Sequence, residues 1–353
     1  LQGESSAQAI NNAGQIAGWS YDTSIHSYLY QVAEVPVSHA AFWTASGELT
    51  TYGNFSWANG LNDKGQMVGK DVKANYVSFA DSEPVSWFGG QRTILGKAGE
   101  PLAINNQGVI VGSVRVNPDS FSSPTYAMNW GSGQALQGLG GLSSAANAVN
   151  DAGLVAGVSQ IELACGTTCS SSALKRAPNH AAVWKDGRVL DLGTLGGAAS
   201  QAFGLNELGQ IVGQAQSKDG VNHAVRWVDG QIQDLGLGRA NKINEMGQIV
   251  GVSGSKHAML WQDGAAIDLD ALVNDPDWTL SRAMDINDSG TIVGEAISKA
   301  NGNKRAFVLT TSAVPEPGSS ALMLVGVAMV GGIARMRRSA RSSRQKSGAE
   351  VQG

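Results

Sequence analysis

Short apolar runs alternate with polar, glycine-bearing turns along residues 1–310, and two phrases recur through them in fixed order. The first reads INNAGQIAG (10–18), LNDKGQMVG (61–69), INNQGVIVG (104–112), VNDAGLVAG (149–157), LNELGQIVG (205–213), INEMGQIVG (243–251) and INDSGTIVG (286–294). The second reads HAAFW (39–43), VSWF (85–88), YAMNW (126–130), HAAVW (180–184), HAVRW (223–227), HAMLW (257–261) and RAFVL (305–309). A polar turn such as Asp186-Gly187 or Asp229-Gly230 follows it, and then an apolar segment such as RVLDLG (188–193) or QIQDLG (231–236). Apolar runs joined by Asp-Gly or Asn-x-x-Gly read as hairpins, so each repeat predicts four strands.

The first hairpin turns on an Asn and a Gly three residues later: Asn11 with Gly14, Asn62 with Gly65, Asn105 with Gly108, Asn150 with Gly153, Asn206 with Gly209, Asn244 with Gly247, and Asn287 with Gly290. The carboxamide is expected to accept from the backbone two residues on, and the Gly to take a positive φ that would strain a side-chain-bearing residue. Successive Asn positions lie 38 to 56 residues apart, near the ~40–45 of a four-stranded propeller blade. Seven such units predict an all-β, seven-bladed β-propeller of antiparallel blades, with Trp filling the wider gaps towards the rim. A β-solenoid would need shorter and more uniform rungs, and two packed sandwiches are the other rival. The last repeat stops at RAFVL with no counterpart of RVLDLG. Its closing strand is expected upstream of Leu1, leaving an incomplete last blade with three strands.

Composition narrows the classes. Gly is 46 of 353 residues, with no three-residue period, which excludes collagen, while 42% hydrophobic residues suffice for a core. A net charge of -4 offers no basic face for phosphate backbones, so nucleic acid is not an expected partner. The chain opens on Leu1 without a charged n-region and apolar h-region, as expected of a processed or cut N-terminus. Cys165 and Cys169, spaced C-x3-C, are a disulfide candidate in an oxidising compartment. No metal site is read, because four ligands do not converge on the cysteines and the Asn-Asp turns lack the EF-hand and nonapeptide spacings for Ca²⁺. The Asn-Asp turns leave Ca²⁺ as the one alternative to a chain with no cofactor.

The pairing of IN-x-x-G-Q-[IV]-V-G with H-A-[FV]-x-W and D-L-G-T-L-G-G resembles the HAF-repeat family of extracellular proteins over about residues 1–310. The second and third copies depart from that pattern, with VSWF and YAMNW in place of His-Ala-x-x-Trp. The tail has a different resemblance. Val314-Pro315-Glu316-Pro317, an apolar run from about Ala321 to Ala334, and a cluster including Arg335, Arg337 and Arg338 resemble the PEP-CTERM sorting signal. That resemblance implies export from a Gram-negative cell, an inner-membrane intermediate, recognition by an exosortase that removes the tail, and delivery to the cell surface or a biofilm matrix. The apolar run predicts a C-terminal transmembrane helix, at the short end of the ~17–25 residues needed. The expected domains are a propeller over 1–312 and a sorting tail over 313–353.

No G-x-S-x-G, phosphate loop or H-E-x-x-H occurs. Four of five histidines (His39, His180, His223, His257) share one repeat position, as packing or strand-to-loop hydrogen bonding would require. Function is therefore sought in the segments that do not repeat: 19–38, 70–84, 113–125, 158–179, 214–222, 252–256 and 295–304, all between second and third strands and on one face. Their aromatics Trp19, Tyr21, Tyr28, Tyr30, Tyr76 and Phe79 are candidates for stacking on sugars or peptides. The leading expectation is an exported non-enzymatic propeller binding exopolysaccharide or a surface protein. One rival is a glycoside hydrolase or lyase drawing two acids from Asp22, Glu34, Asp71, Asp81, Glu83, Asp119 and Glu162; the other is a purely structural envelope protein.

Overall fold

The computed structural model describes residues 3–28, 31–72, 82–96, 98–117, 123–162, 177–313 and 322–330. The described chain is almost wholly antiparallel β-structure. The first unit comprises β1 (Ser5–Ile10), β2 (Ile16–Tyr28), β3 (Gln31–Trp43) and β4 (Leu49–Tyr52). The second comprises β5 (Trp57–Leu61), β6 (Met67–Val72), β7 (Ser82–Phe88) and β8 (Gln91–Ile94). The third contains β9 (Glu100–Ile104), β10 (Ile110–Arg115), β11 (Thr125–Asn129) and β12 (Gln134–Ala135). The fourth contains β13 (Gly140–Val149), β14 (Val155–Ile161), β15 (Asn179–Lys185) and β16 (Arg188–Asp191).

Next come β17 (Gly196–Leu205), β18 (Ile211–Ser217) and β19 (Asn222–Val228), then the long β20 (Gln231–Ile243). That strand is shared: its first half pairs with β19 and its second half with β21 (Ile249–Ser253), which leads to β22 (Ala258–Gln262) and β23 (Ala265–Asp268). A one-turn helix α1 (Leu269–Val273) precedes β24 (Trp278–Ile286), β25 (Ile292–Ser298), β26 (Lys304–Ala313) and β27 (Leu322–Val330). Each sheet follows chain order from strand to neighbouring strand.

The first strands gather round an axis, and the recurring Asn joins them. Each Asn Nδ2 donates to the backbone carbonyl of the next Asn: Asn11 to Asn62, Asn62 to Asn105, Asn105 to Asn150, Asn150 to Asn206, Asn206 to Asn244, Asn244 to Asn287, and Asn287 back to Asn11, at 2.8–3.3 Å. The circuit is closed. A second circuit encloses it, in which the backbone N–H after each Asn donates to the following unit's Asp63, Asn106, Asp151, Glu207, Glu245, Asp288 or Asn12 side chain. The arrangement is the radial ring of a β-propeller, closed between β24 and β1.

Inside each turn the glycine takes the left-handed backbone that the sequence calls for. Gly14, Gly65, Gly108, Gly153, Gly209, Gly247 and Gly290 have φ between 74 and 83°, and each donates its N–H to the carbonyl of the Asn three residues before it at 3.0–3.1 Å. The reach of the Asn differs from expectation. Its Oδ1 accepts chiefly from the N–H four residues on, as at Gln15, Val109 and Thr291, and from the N–H two residues on at Lys64 and Met246. The turn itself explains the longer reach: with the Gly N–H on the Asn carbonyl and the Asn N–H on the carbonyl four residues on, as Asn11 on Gln15, that residue lies beside the Asn side chain. The Gly that ends each phrase has its own cause. A Cβ on Gly213 or Gly251 would collide with the carbonyl oxygen of Gln201 or Arg239 in the adjoining strand.

Between units the core is small and apolar near the axis, as with Ala7, Ala58, Ala146 and Ala240, and ends in Trp farther out. The indole N–H of Trp184, Trp227 and Trp261 donates at 2.7–2.9 Å to Gln137, Leu192 and Leu235 carbonyls of the preceding unit. Each Trp thus buries its ring while its one polar atom stays satisfied.

Three larger expectations are corrected. Residues 322–330 form β27 and not a transmembrane helix; no described helix is long and apolar enough to cross a membrane. The last unit is consequently not three-stranded, because β27 pairs with β26 from Ala306↔Val330 to Ala313↔Leu322. The open edge of β26 offers unpaired backbone groups, and Val325, Gly326, Val327 and Val330 weaken helix while three valines favour an extended chain. Thirdly, much of segment 19–38 belongs to the arms of a long β2–β3 hairpin, paired as far as Tyr28↔Gln31.

A candidate binding cleft where the repeat is broken

Successive strand connections fall on opposite faces. One face carries the Asn-Gly turns, whose mouth is a shallow space of about 160 Å³. Its carboxylates Asp63, Asp151, Glu207, Glu245 and Asp288 accept backbone N–H groups. Burial raises the Glu207 carboxyl above its ordinary range. Asn11, Asn62, Asn105, Asn244 and Asn287 reach the wall of this mouth, but the turn glycines Gly14, Gly65, Gly108, Gly153, Gly209, Gly247 and Gly290 line neither it nor the cleft on the other face. These glycines set the backbone of the turn. Among the described residues no three His, Cys, Asp or Glu side chains are grouped to hold a metal ion.

The opposite face holds a cleft of about 650 Å³ between the first two units, lined by His39, Thr51, Gly53, Asn54, Asp71, Val72, Glu83 and Arg92. Asp71 at the end of β6 is the direct cross-strand partner of Glu83 at the start of β7. Arg92 on β8 joins them: its Nε donates to Asp71 Oδ2 at 2.6 Å and its Nη2 to Glu83 Oε2 at 2.9 Å. The Asp71 and Glu83 side chains are 9% and 12% exposed and the Arg92 side chain 34%. Burial pushes the Asp71 carboxyl above its ordinary range, against the pull of Arg92. For Arg92 burial works downward, but its bonds to Glu83 and Asp71 prevail and raise it.

Two neighbours shape the opening. His39 Nδ1 bonds the Gly53 carbonyl oxygen. Ser56 pins the connection after β4, its Oγ donating to the Tyr52 carbonyl at 2.6 Å and accepting the Ala40 N–H at 2.8 Å. Ser144 and Ser200 accept the Ala127 and Ala181 N–H groups in the same way, so this pin belongs to the scaffold.

Among the described residues this Asp–Arg–Glu cluster occurs in the second unit alone. By register Glu83 stands where His39, His180 and His223 stand in their own units. In the later units the His bonds an Asp eleven residues on: His180–Asp191 at 2.7 Å, His223–Asp234 at 2.9 Å and His257–Asp268 at 2.8 Å. Asp191 and Asp234 also receive the N–H of Gly193 and Gly236. Arg92, opposite Trp87, takes a place held by Leu49, Val189, Ile232 and Ala266 elsewhere. Arg92 was not among the sequence candidates. Its signal was available as a lone charge at an otherwise apolar repeat position, in one of the copies that lack the His.

Other sequence candidates are dispersed. Trp19 and Tyr21 lie in strand β2, partly buried and edge-to-face at 5.1 Å, and do not line the cleft. Tyr28 is in β2, but its side chain lies outside the described residues, as do those of Asp22 and Glu34. Tyr30, Tyr76, Phe79, Asp81, Asp119, Cys165, Cys169, Val314, Pro315, Glu316, Pro317, Arg335, Arg337 and Arg338 fall outside the described residues. Glu162 sits at the far end of β14 with its N–H bonded to Leu139.

Comparison with solved structures places the chain among β-propellers. The β-propeller domain of the Trilobed protease from Pyrococcus furiosus, described as having an open velcro topology, superposes with a TM-score of 0.56 at 10% identity, over 94% of this chain and 98% of that domain. Pyrococcus horikoshii acylaminoacyl peptidase gives 0.53 at 9% identity, over 87% of this chain; the match spans about half, 51%, of the peptidase. These likenesses show the fold. They overturn the assignment as a non-enzyme, because the scaffold that suggested it is shared with peptidases and excludes no activity. No characterised protein matches the chain in sequence. Residues 313–338 match the PEP-CTERM protein-sorting motif, so the chain carries a sorting signal of exported proteins.

Proposed function

We propose that the chain is an exported, surface-sorted seven-bladed propeller of the HAF-repeat kind, processed by an exosortase, that binds polysaccharide of the cell surface or matrix in the cleft between its first two units. The cleft carries this reading. Its wall sets carboxylate acceptors, a guanidinium and an amide in fixed positions, a donor–acceptor mix suited to a hydroxyl-rich chain. Export brings such a surface to extracellular polymer.

The test is retention of the producing organism's purified exopolysaccharide by the propeller, compared with Asn54→Ala and Glu83→Gln variants. Loss of retention in both, with folding intact by circular dichroism, supports the cleft; unchanged retention places binding elsewhere. In cells, Glu316→Ala should leave the protein at the inner membrane, and unchanged release counts against exosortase processing.

A second reading, glycoside hydrolysis, is favoured by the same pair of acids. Arg92 holds both carboxylates on one guanidinium, through Nε and Nη2, which keeps them close together as the paired carboxyl groups of a retaining enzyme are, and burial favours the protonated form of Asp71. Release of reducing ends from the bound polymer, abolished by Asp71→Asn, would establish it.

A further inference from the structure

The loop-face ends of the axial strands carry a second charged feature. By register, one residue from each first strand occupies the same level: Ser6, Trp57, Glu100, Ala145, Gln201, Arg239 and Arg282. Glu100 is neutralised by Lys70 at 3.0 Å. Arg239 and Arg282 are adjacent, since β20 and β24 are neighbouring axial strands and Asn241 Nδ2 donates to the Ala283 carbonyl at 2.7 Å.

The two arginines are unevenly compensated. Arg282 faces Glu295 at 3.8 Å, a carboxylate that Lys304 also approaches at 3.4 Å. Two cations thus share one anion. Arg239 has its guanidinium carbon 5.0 Å from the Phe203 ring centroid, and its Nε is buried with no hydrogen-bond partner among the described residues. Farther along the axis Lys242 and the buried Asp285 offset each other, which leaves this level with an excess of positive charge. An orphaned N–H in a partly desolvated cation is unfavourable, and adjacent like charges add to it. Phe203 covers one face of the guanidinium and its Nε is enclosed, so an in-plane acceptor meets the terminal Nη groups. Burial and the neighbouring Arg282 both pull the Arg239 ionisation down, as expected of a cation awaiting a counter-charge.

We propose that Arg239 and Arg282 form an oxyanion-binding site at the axial opening of the loop face, taking the carboxylate of an acidic sugar or a free phosphate group. The site extends the polysaccharide reading by specifying an acidic polymer. It is separable from that reading, because Arg239 and Glu83 variants report on different places.

The experiment is calorimetric titration of the whole propeller with trigalacturonate, with neutral cellotriose and with inorganic phosphate, repeated for Arg239→Gln and Arg282→Gln. Trigalacturonate should bind, weaken with added salt, and weaken at least ~10-fold in each variant, the loss of one charge-assisted contact, while Met246→Ala, exposed on the face of the Asn-Gly turns, leaves it unchanged; cellotriose should show no dependence on Arg239. Competition by millimolar phosphate would identify a general oxyanion site, and its absence a site for sugar carboxylates. Unfolding supplies the second readout. Relief of an unpaired, repelled charge should leave Arg239→Gln as stable as the parent, or more so. Two results overturn the site: no anion binding by the parent protein, or an Arg239→Gln variant that binds trigalacturonate as the parent does.

Discussion

Replacing Asn244 tests whether the closed hydrogen-bond circuit holds the ring together. Asn244 Nδ2 donates to the Asn287 carbonyl at 3.0 Å and to Gln248 Oε1 at 2.7 Å, while Oδ1 accepts from the N–H of Gln248 at 2.9 Å and of Met246 at 3.1 Å. Asn244→Ala removes all four and strands backbone groups at a buried position. At about 0.5–1.5 kcal/mol per net bond, and more where a buried partner is orphaned, the loss is about 2–4 kcal/mol. Asn244→Asp divides that figure. The carboxylate keeps the acceptor within the turn but loses the donor to the next unit, and it places negative charge against the Asn287 carbonyl. It should cost roughly 1–3 kcal/mol at neutral pH, and the deficit should shrink in acid, where a protonated Asp donates again. The assay is urea unfolding at neutral and mildly acidic pH, with Met246→Ala, 74% exposed in the same turn, as the control. If Asn244→Ala costs no more than this control, the circuit contributes nothing to stability. If Asn244→Asp matches the parent at neutral pH, the bond between units is inert.

Arg92→Met should destabilise by roughly 2–3 kcal/mol at neutral pH, below the ~3–5 kcal/mol for breaking a fully buried pair because Arg92 is partly exposed, and much less in acid; equal losses at both pH values in urea titrations would refute the triad. Asp285, buried at the ring closure, accepts the Ile10 N–H at 3.0 Å, and burial raises its carboxyl. A group whose folded pKa is raised stabilises the folded state most below its unfolded value, and loses that contribution as pH rises through the folded one. Asp285→Asn should therefore flatten the fall in stability from mildly acidic to neutral pH, and an unaltered pH profile would show that Asp285 does not cause it. Gly251→Ala should cost about 1–3 kcal/mol through overpacking against the Arg239 carbonyl, whereas Gly220→Ala, with φ of 80° but open surroundings, should cost only the strain of its backbone; similar thermal shifts for the two would contradict the steric account.

The hairpins, the Asn-Gly turns and the ring were legible because each repeat states the same local rule: a polar turn with one positive-φ Gly between short apolar runs. The circuit itself was not. Asn11 donates to Asn62 and Asn287 to Asn11 across 51 and 276 residues, and only the closed geometry reveals those partners. The cleft was half legible. Asp71 and Glu83 stood among the candidate acids because they flank a variable segment, but nothing in their spacing shows that strand register sets them opposite each other or that Arg92 reaches back from β8 to both. The segment 322–330 defeated composition for a simpler reason. An apolar run suits a bilayer and a vacant strand edge alike, and hydropathy does not distinguish them.

Repetition and function occupy different positions in the same framework. Where His180 or His223 meets an Asp, the pair closes its own unit by bonding a strand to the turn that follows, and nothing is left over. At the second unit, the corresponding place holds Glu83, the neighbouring strand supplies Asp71, and Arg92 replaces an apolar residue. One ion cluster replaces two ordinary scaffold contacts and borders an open cleft. At the axis the same substitution of charge for neutrality occurs at Arg239 and Arg282, beside levels filled by Ser6, Ala145 and Gln201. A charge drawn partly out of water, as at Arg239 beside a second arginine, is costly to keep, and a scaffold with neutral solutions at the same level in other units has no structural need of it. The two departures therefore point to ligands, and both open on the face opposite the Asn-Gly turns, where the non-repeated segments also emerge.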